Sequence, residues 1–223
     1  MLTLRSLIQI LSIVLIIVCV SCKGKSGDQI QSQTGSGDIS ATATKIPSQD
    51  SRQKLTDTIG KAGEDPVKEL AMQEAALSGD ESTVKNLIGE GVNVNATDQE
   101  NRTALMYASF NGHKGIVEML LESGAILSLR DASGRTALLY ASTGPFAETV
   151  KILLEHNADP NIVDAVEAFT PLMHAAAEGQ LEVVKVLLEY NADASLKDVD
   201  GENAYMFALA NGHTEVAELL KAQ

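Results

Sequence analysis

The chain has 223 residues, 44% of them hydrophobic, and a formal net charge of −13, which suits one medium domain with appendages. The charge is uneven: residues 1–63 carry seven Lys or Arg against four Asp, and residues 64–223 carry ten against twenty-six Asp or Glu. So acidic a body repels phosphate backbones, which argues against nucleic acid as a partner and favours a basic protein. Cys19 and Cys22 are the only cysteines, so a disulfide framework and a thiolate metal site are excluded from everything that follows them.

Residues 1–21 read as a signal peptide. Met1 to Arg5 is short and weakly basic, and Leu7 to Val20 is apolar except for Gln9 and Ser12. That run of 14 residues falls short of the ~20 that a membrane-spanning helix needs. The segment Cys19-Val20-Ser21-Cys22 resembles a bacterial lipobox, with Cys19 where an aliphatic residue is usual. The resemblance implies cleavage before Cys22, acylation of Cys22, and a membrane anchor. More than one acyl chain would make the attachment stable. Lys23 stands where an Asp would signal retention at the inner membrane, so the outer membrane is slightly favoured. Simple secretion and an uncleaved signal anchor are the alternatives.

Residues 22–64 follow as a tether rich in Ser, Gly, Thr, Gln, Asp and Lys, with isolated Ile30, Ile39, Ile46, Leu55 and Ile59. Apolar residues so sparse cannot offset the entropy of ordering the chain, and disorder is expected. A coil of this length reaches roughly 35 Å, enough to hold a domain clear of lipid head groups.

From residue 65 the sequence repeats. Leu70, Thr103, Thr136, Thr170 and Asn203 occupy equivalent positions at spacings of 33, 33, 34 and 33. The units open with Thr-Ala-Leu-Met-Tyr-Ala-Ser at Thr103, Thr-Ala-Leu-Leu-Tyr-Ala-Ser at Thr136, Thr-Pro-Leu-Met-His-Ala-Ala at Thr170 and Asn-Ala-Tyr-Met-Phe-Ala-Leu at Asn203. Asn111-Gly112-His113 recurs as Asn211-Gly212-His213, and Leu153 to Asp159 recurs almost unchanged as Leu187 to Asp193. These motifs resemble the ankyrin repeat, whose period is 33 residues. The resemblance implies an all-α repeat solenoid of five stacked ankyrin repeats, at about 66–98, 99–131, 132–165, 166–198 and 199–223, within a domain spanning 65–223.

Helical periodicity agrees. Val84, Leu87 and Ile88, then Ile116, Val117, Leu120 and Leu121, then Val150, Leu153 and Leu154, then Val183, Val184, Leu187 and Leu188 each form one stripe on a second helix. No unit can bury such a stripe alone, so each must stack on its neighbours. Gly91, Gly124, Asn157 and Asn191 follow the second helices where a left-handed cap is expected. Lys221 and Asn86 interrupt the apolar columns at the two ends, so polar end faces and no sixth repeat are expected. Two departures from the family pattern stand out. Met106, Leu139, Met173 and Met206 replace the family's histidine, which implies less rigid turns, and Pro145 replaces the third unit's turn glycine, which implies altered local geometry.

No catalytic motif is present, and no cofactor or metal is implied. His113 and His213 lie three repeats apart, too far to share a metal at ~8–10 Å per helix pair. The family resemblance places a protein-binding concave face on the loop tips and exposed first-helix ends. The matching positions here include Gln99, Glu100, Arg102, Phe110, Asn111, Arg135, Val166, Glu167, Phe169, Glu178, Val199, Asp200 and Glu202, with Phe169 expected as an apolar anchor at the one-residue insertion Val166 to Phe169. The leading expectation is a non-enzymatic, monomeric, lipid-anchored interaction module of the bacterial envelope that protects or inhibits a partner enzyme. The rival is a secreted effector that binds host proteins.

Overall fold

A computed structural model describes residues 65–223. The signal segment 1–21, Cys22 and the tether 22–64 lie outside the described residues. The described chain forms ten helices in five consecutive pairs: α1 (Pro66–Ser78) with α2 (Glu81–Gly89), α3 (Ala104–Phe110) with α4 (Lys114–Glu122), α5 (Ala137–Ala141) with α6 (Ala147–Glu155), α7 (Pro171–Ala177) with α8 (Leu181–Glu189), and α9 (Ala204–Ala210) with α10 (Thr214–Lys221). Among the described residues the only extended pairing is one antiparallel bridge, Thr97 to Thr103.

Each pair starts and stops where its residues dictate. The side chains of Thr103, Thr170 and Asn203 accept the N–H of Met106, Met173 and Met206 at 3.3, 3.2 and 3.1 Å, which satisfies one of the donors that the first turn leaves orphaned. These caps form without the family's histidine, because the donor is a backbone N–H. Thr136 is different: its hydroxyl is buried and has no partner. The second helices end in left-handed residues at the expected places, Gly91 (φ 77°), Gly124 (φ 88°), Asn157 (φ 67°) and Asn191 (φ 63°). The expected irregularity at Pro145 is also present. Helix α5 has five residues where α3, α7 and α9 have seven, and the hydroxyls of Ser142 and Thr143 donate to the carbonyls of Leu138 and Tyr140, both at 2.8 Å.

The core runs the length of the stack. Ile116, Val117, Leu120, Val150, Leu153, Val184 and Leu187 are completely buried, as are Ala76, Ala108, Ala141, Ala175 and Ala176. A buried leucine contributes ~1.5–3 kcal/mol relative to an exposed one, and the alanines let first helices approach closely enough to realise that burial. The ends depart from expectation. Lys221 is exposed, but Met206 is 44% and Leu209 52% exposed, at positions where Met106, Leu139, Met173, Ser109 and Ser142 are buried. Val67 and Leu70 are also exposed at the other end. Only the second-helix columns turn polar at the ends, and the first helices keep apolar residues there.

In the second and fifth pairs the turn between the helices locks onto the pair before it. In the second repeat the Asn111 amide and the His113 ring Nε2 both reach the Leu77 carbonyl, at 2.6 and 3.2 Å. In the fifth, Asn211 and His213 reach the Ala177 carbonyl at 3.0 and 3.1 Å. Gly79 is needed under His113 twice over: its φ is +81°, and a Cβ would sit 2.7 Å from the imidazole. Phe146 lies over Gly112 in the same way, with its ring 2.1 Å from where a Cβ would be.

The one-residue insertion is absorbed at Ala168, which holds φ +59° where the neighbouring hairpins use Asn101, Gly134 and Gly201, all at positive φ. An alanine there carries a penalty of ~1–2 kcal/mol, which glycine avoids at some cost in chain entropy. Ala168→Gly is expected to stabilise the domain by about 0.5–1 kcal/mol. Phe169→Ala, one residue on, should cost ~3–5 kcal/mol because it empties a core site. Urea unfolding of the two variants checks this; shifts of the same sign would contradict the assignment.

Candidate protein-interaction surface

Four hairpins join successive pairs, and one carboxylate organises each. Asp98 Oδ1 accepts the N–H groups of Glu100 and Arg102 at 2.9 and 2.8 Å. Asp131 Oδ1 accepts those of Ser133 and Arg135 at 2.9 and 2.8 Å. Asp164 Oδ1 accepts from Val166, Glu167 and Phe169 at 3.1, 2.9 and 3.4 Å, and Asp198 Oδ1 accepts from Asp200 and Glu202 at 3.0 and 2.8 Å. The tips then join backbone to backbone. Ala132 N–H donates to Glu100 C=O at 2.8 Å, Ala165 to Ser133 at 2.9 Å and Val199 to Glu167 at 3.1 Å. Side chains near the tips are thereby held in one row on a braced backbone. These aspartates recur with the repeat period, so the signal was present in the sequence, where they read as ordinary surface acids.

A second column of side chains on the first helices reaches these carboxylates. The Tyr107 hydroxyl donates to Asp98 Oδ2, and that of Tyr140 to Asp131 Oδ2, both at 2.6 Å. Burial, and then these carboxylates, push the pKa of both phenols well above the ordinary tyrosine value, so both stay neutral donors. In the fourth repeat His174 replaces the tyrosine, and its Nε2 lies 3.8 Å from Asp164 Oδ2, an ion-pair distance too long for a hydrogen bond.

The sequence-derived residues divide into three groups. Gln99, Glu100, Val166, Glu178 and Asp200 are exposed, and Val166 and Val199 expose 61% and 63% of their surface. Arg102, Arg135, Glu167 and Glu202 are half-buried. Arg102 donates Nε to Asp98 at 2.8 Å, pairs with Glu100, and stacks 5.2 Å over the Tyr107 ring. Phe110 and Asn111 are half-buried and engaged internally, Phe110 edge-on to Tyr140 at 6.0 Å and Asn111 on the Leu77 carbonyl.

Phe169 requires correction. It is 5% exposed, with its ring 4.8 Å from Phe207 and 5.3 Å from His174. The insertion turns it inward to fill the space between the fourth and fifth pairs, so it belongs to the core, and the most exposed apolar side chains of that region are Val166 and Val199.

A braced row of hairpin tips on a helix-pair stack, with varied side chains outward and invariant carboxylates inward, defines a solenoid built to present a surface. A family model described as ankyrin repeats (3 copies) matches residues 72–164 and 147–223, and the chain belongs to the ankyrin repeat family. Ankyrin repeats are protein-interaction modules. No curated protein is detectably similar to the chain. Among the described residues, no group of three His, Cys, Asp or Glu side chains is placed to hold a metal, and His113 and His213 serve as the inter-repeat locks described above.

Burial works against the charge on Asp164, but His174 and the backbone N–H groups of Glu167 and Val166 outweigh it and hold the carboxyl at about 2, below its ordinary 3.8. A folded value below the unfolded one means that the stabilisation is complete above about pH 4 and is lost as pH falls through about 2. Asp164→Asn should therefore lower stability by on the order of 1–2 kcal/mol at neutral pH and flatten the decline between about pH 4 and 2. Urea midpoints measured across that range check it; equal slopes for parent and variant would contradict it.

Proposed function

We propose that this chain is a membrane-tethered ankyrin repeat protein of the bacterial envelope that docks a basic protein partner on the concave face made by its hairpin tips and first helices. The observation that carries the docking surface is the pair Val166 and Val199, both largely exposed, linked through the Val199 to Glu167 backbone bond and set among Glu167, Glu178, Asp200 and Glu202. An apolar centre with an acidic rim suits a partner with an aliphatic side chain flanked by Lys or Arg. The apolar contact would govern lifetime, and the rim charges would speed encounter in a salt-dependent way. Guarding or inhibiting an enzyme of the same compartment fits a preorganised surface braced by its own hairpin aspartates.

The tethering reading is supported by the sequence, in which Cys22 is the last cysteine and follows a short apolar run. No helix among the described residues is long and apolar enough to cross a membrane. Cys22→Ala is expected to move the protein from the membrane to the soluble fraction; unchanged fractionation would remove the lipid anchor. Docking is tested by exchanging Val166 and Val199 for Asp together. Capture of the partner recovered from native membranes should weaken by ~2 kcal/mol or more, with the unfolding midpoint unchanged. Undiminished capture would move the interface to another face.

A further inference from the structure

The second and third repeats solve the same electrostatic problem differently. In the second, the Arg102 guanidinium is engaged by two carboxylates: Asp98 takes Nε at 2.8 Å, and Glu100, from the tip of the same hairpin, pairs with an outer nitrogen. In the third, Arg135 occupies the equivalent position. Its own backbone N–H and that of Ser133 donate to the inner oxygen of Asp131, and the Tyr140 hydroxyl donates to the outer one. The place of Glu100 is held by Ser133, which is uncharged and too short to bridge to the guanidinium. Arg135 Nε is buried without a hydrogen-bond partner, and with no counterpart of Glu100, which pairs with the outer nitrogen of Arg102, the outer nitrogens of Arg135 have no carboxylate partner among the described residues.

A domain with twenty-six acids against ten bases after residue 63 thus leaves unpaired an arginine set into its hairpin row. A planar carboxylate is the group that matches the paired outer donors of a guanidinium. Glu100 on Arg102 shows the arrangement that such a carboxylate would adopt. The geometry points to Arg135 as a receptor for a carboxylate supplied by the docked partner, an Asp or Glu side chain or a chain terminus, which takes at the third repeat the position that Glu100 takes at the second. This inference rests on the reading of the hairpin row as the docking face. It adds that the partner, basic opposite the fourth and fifth repeats, is acidic opposite the third, which fixes its direction along the stack.

The test uses the full chain with nitrogen-15 arginine labelling and sodium acetate as the probe, with sodium chloride at matched ionic strength as the control. The Nε–H resonance of Arg135, assigned by its loss in Arg135→Lys, should shift saturably with acetate and not with chloride, while that of Arg102 stays still. Ser133→Glu installs the missing internal carboxylate and should weaken the acetate response at least about tenfold, one charge-assisted contact's worth, with an unfolding midpoint no lower than the parent's. An absent or non-saturating shift, equal shifts at Arg102 and Arg135, or an undiminished response in Ser133→Glu overturns the inference. Acetate binding is measured without the partner. Failure here alongside weakened capture by the Val166 and Val199 double variant would sink the carboxylate receptor alone, and the opposite pair of results would sink the docking face alone.

Discussion

A two-helix unit of this kind has an apolar stripe that it cannot bury by itself. Everything else in the domain follows from that constraint. The completely buried Leu120, Leu153 and Leu187 reach that state only because another pair lies across each of them, and the buried alanines on the first helices let the pairs come close. Stacking fixes one direction and leaves the hairpins to project from it. Their aspartates then spend side-chain oxygens on their own backbone N–H groups, which keeps the projecting loops from wandering. The outward side chains are left with no structural duty and are available for recognition.

The stacking was legible in the sequence because it repeats. Five copies in register specified the helices, the left-handed ends at Gly91, Gly124, Asn157 and Asn191, and the disturbance at Pro145. Features that occur once were harder to read. Phe169 is an aromatic residue in a loop, and spacing alone does not say whether a loop aromatic turns outward or fills a gap; the answer depended on Phe207 in the next repeat, which offered a ring to pack against. The end faces misled for a related reason. Asn86 and Lys221 marked the second-helix columns as closed, but Met206 and Leu209 belong to the first-helix columns, which are a separate surface. The unpaired state of Arg135 is a difference between two hairpins, Glu100 in one and Ser133 in the other, and becomes visible only when the side chains are placed.

Histidine illustrates how position decides meaning. Four histidines in a chain without catalytic motifs invite a search for metals. Two of them, His113 and His213, are instead spacers with a hydrogen bond, each covering a glycine and holding a carbonyl of the previous repeat. His174 stands where two other repeats use tyrosine, and the shorter ring leaves its Asp164 at 3.8 Å. The same helix position thus provides a hydroxyl that bonds the hairpin carboxylate in two repeats and an imidazole that falls short of it in another.

The Asn-Gly-His locks occur at the second and fifth repeats, where they bind the second to the first and the fifth to the fourth. The third and fourth repeats carry Ser-Thr-Gly-Pro-Phe and Glu-Gly-Gln in that place, and their junctions are held instead by apolar packing, the hairpin bonds, Arg130 Nη1 donating to the Val163 carbonyl at 2.7 Å, and Asn161 Oδ1 accepting the Asp193 N–H at 2.8 Å. A lock made of directional hydrogen bonds accepts a single register, whereas packed methyl groups tolerate small displacements. The extra residue of this chain falls in the fourth repeat's hairpin, beside the junction without such a lock. A change of loop length there can alter the recognition surface without disturbing the Asn-Gly-His locks that join the end repeats.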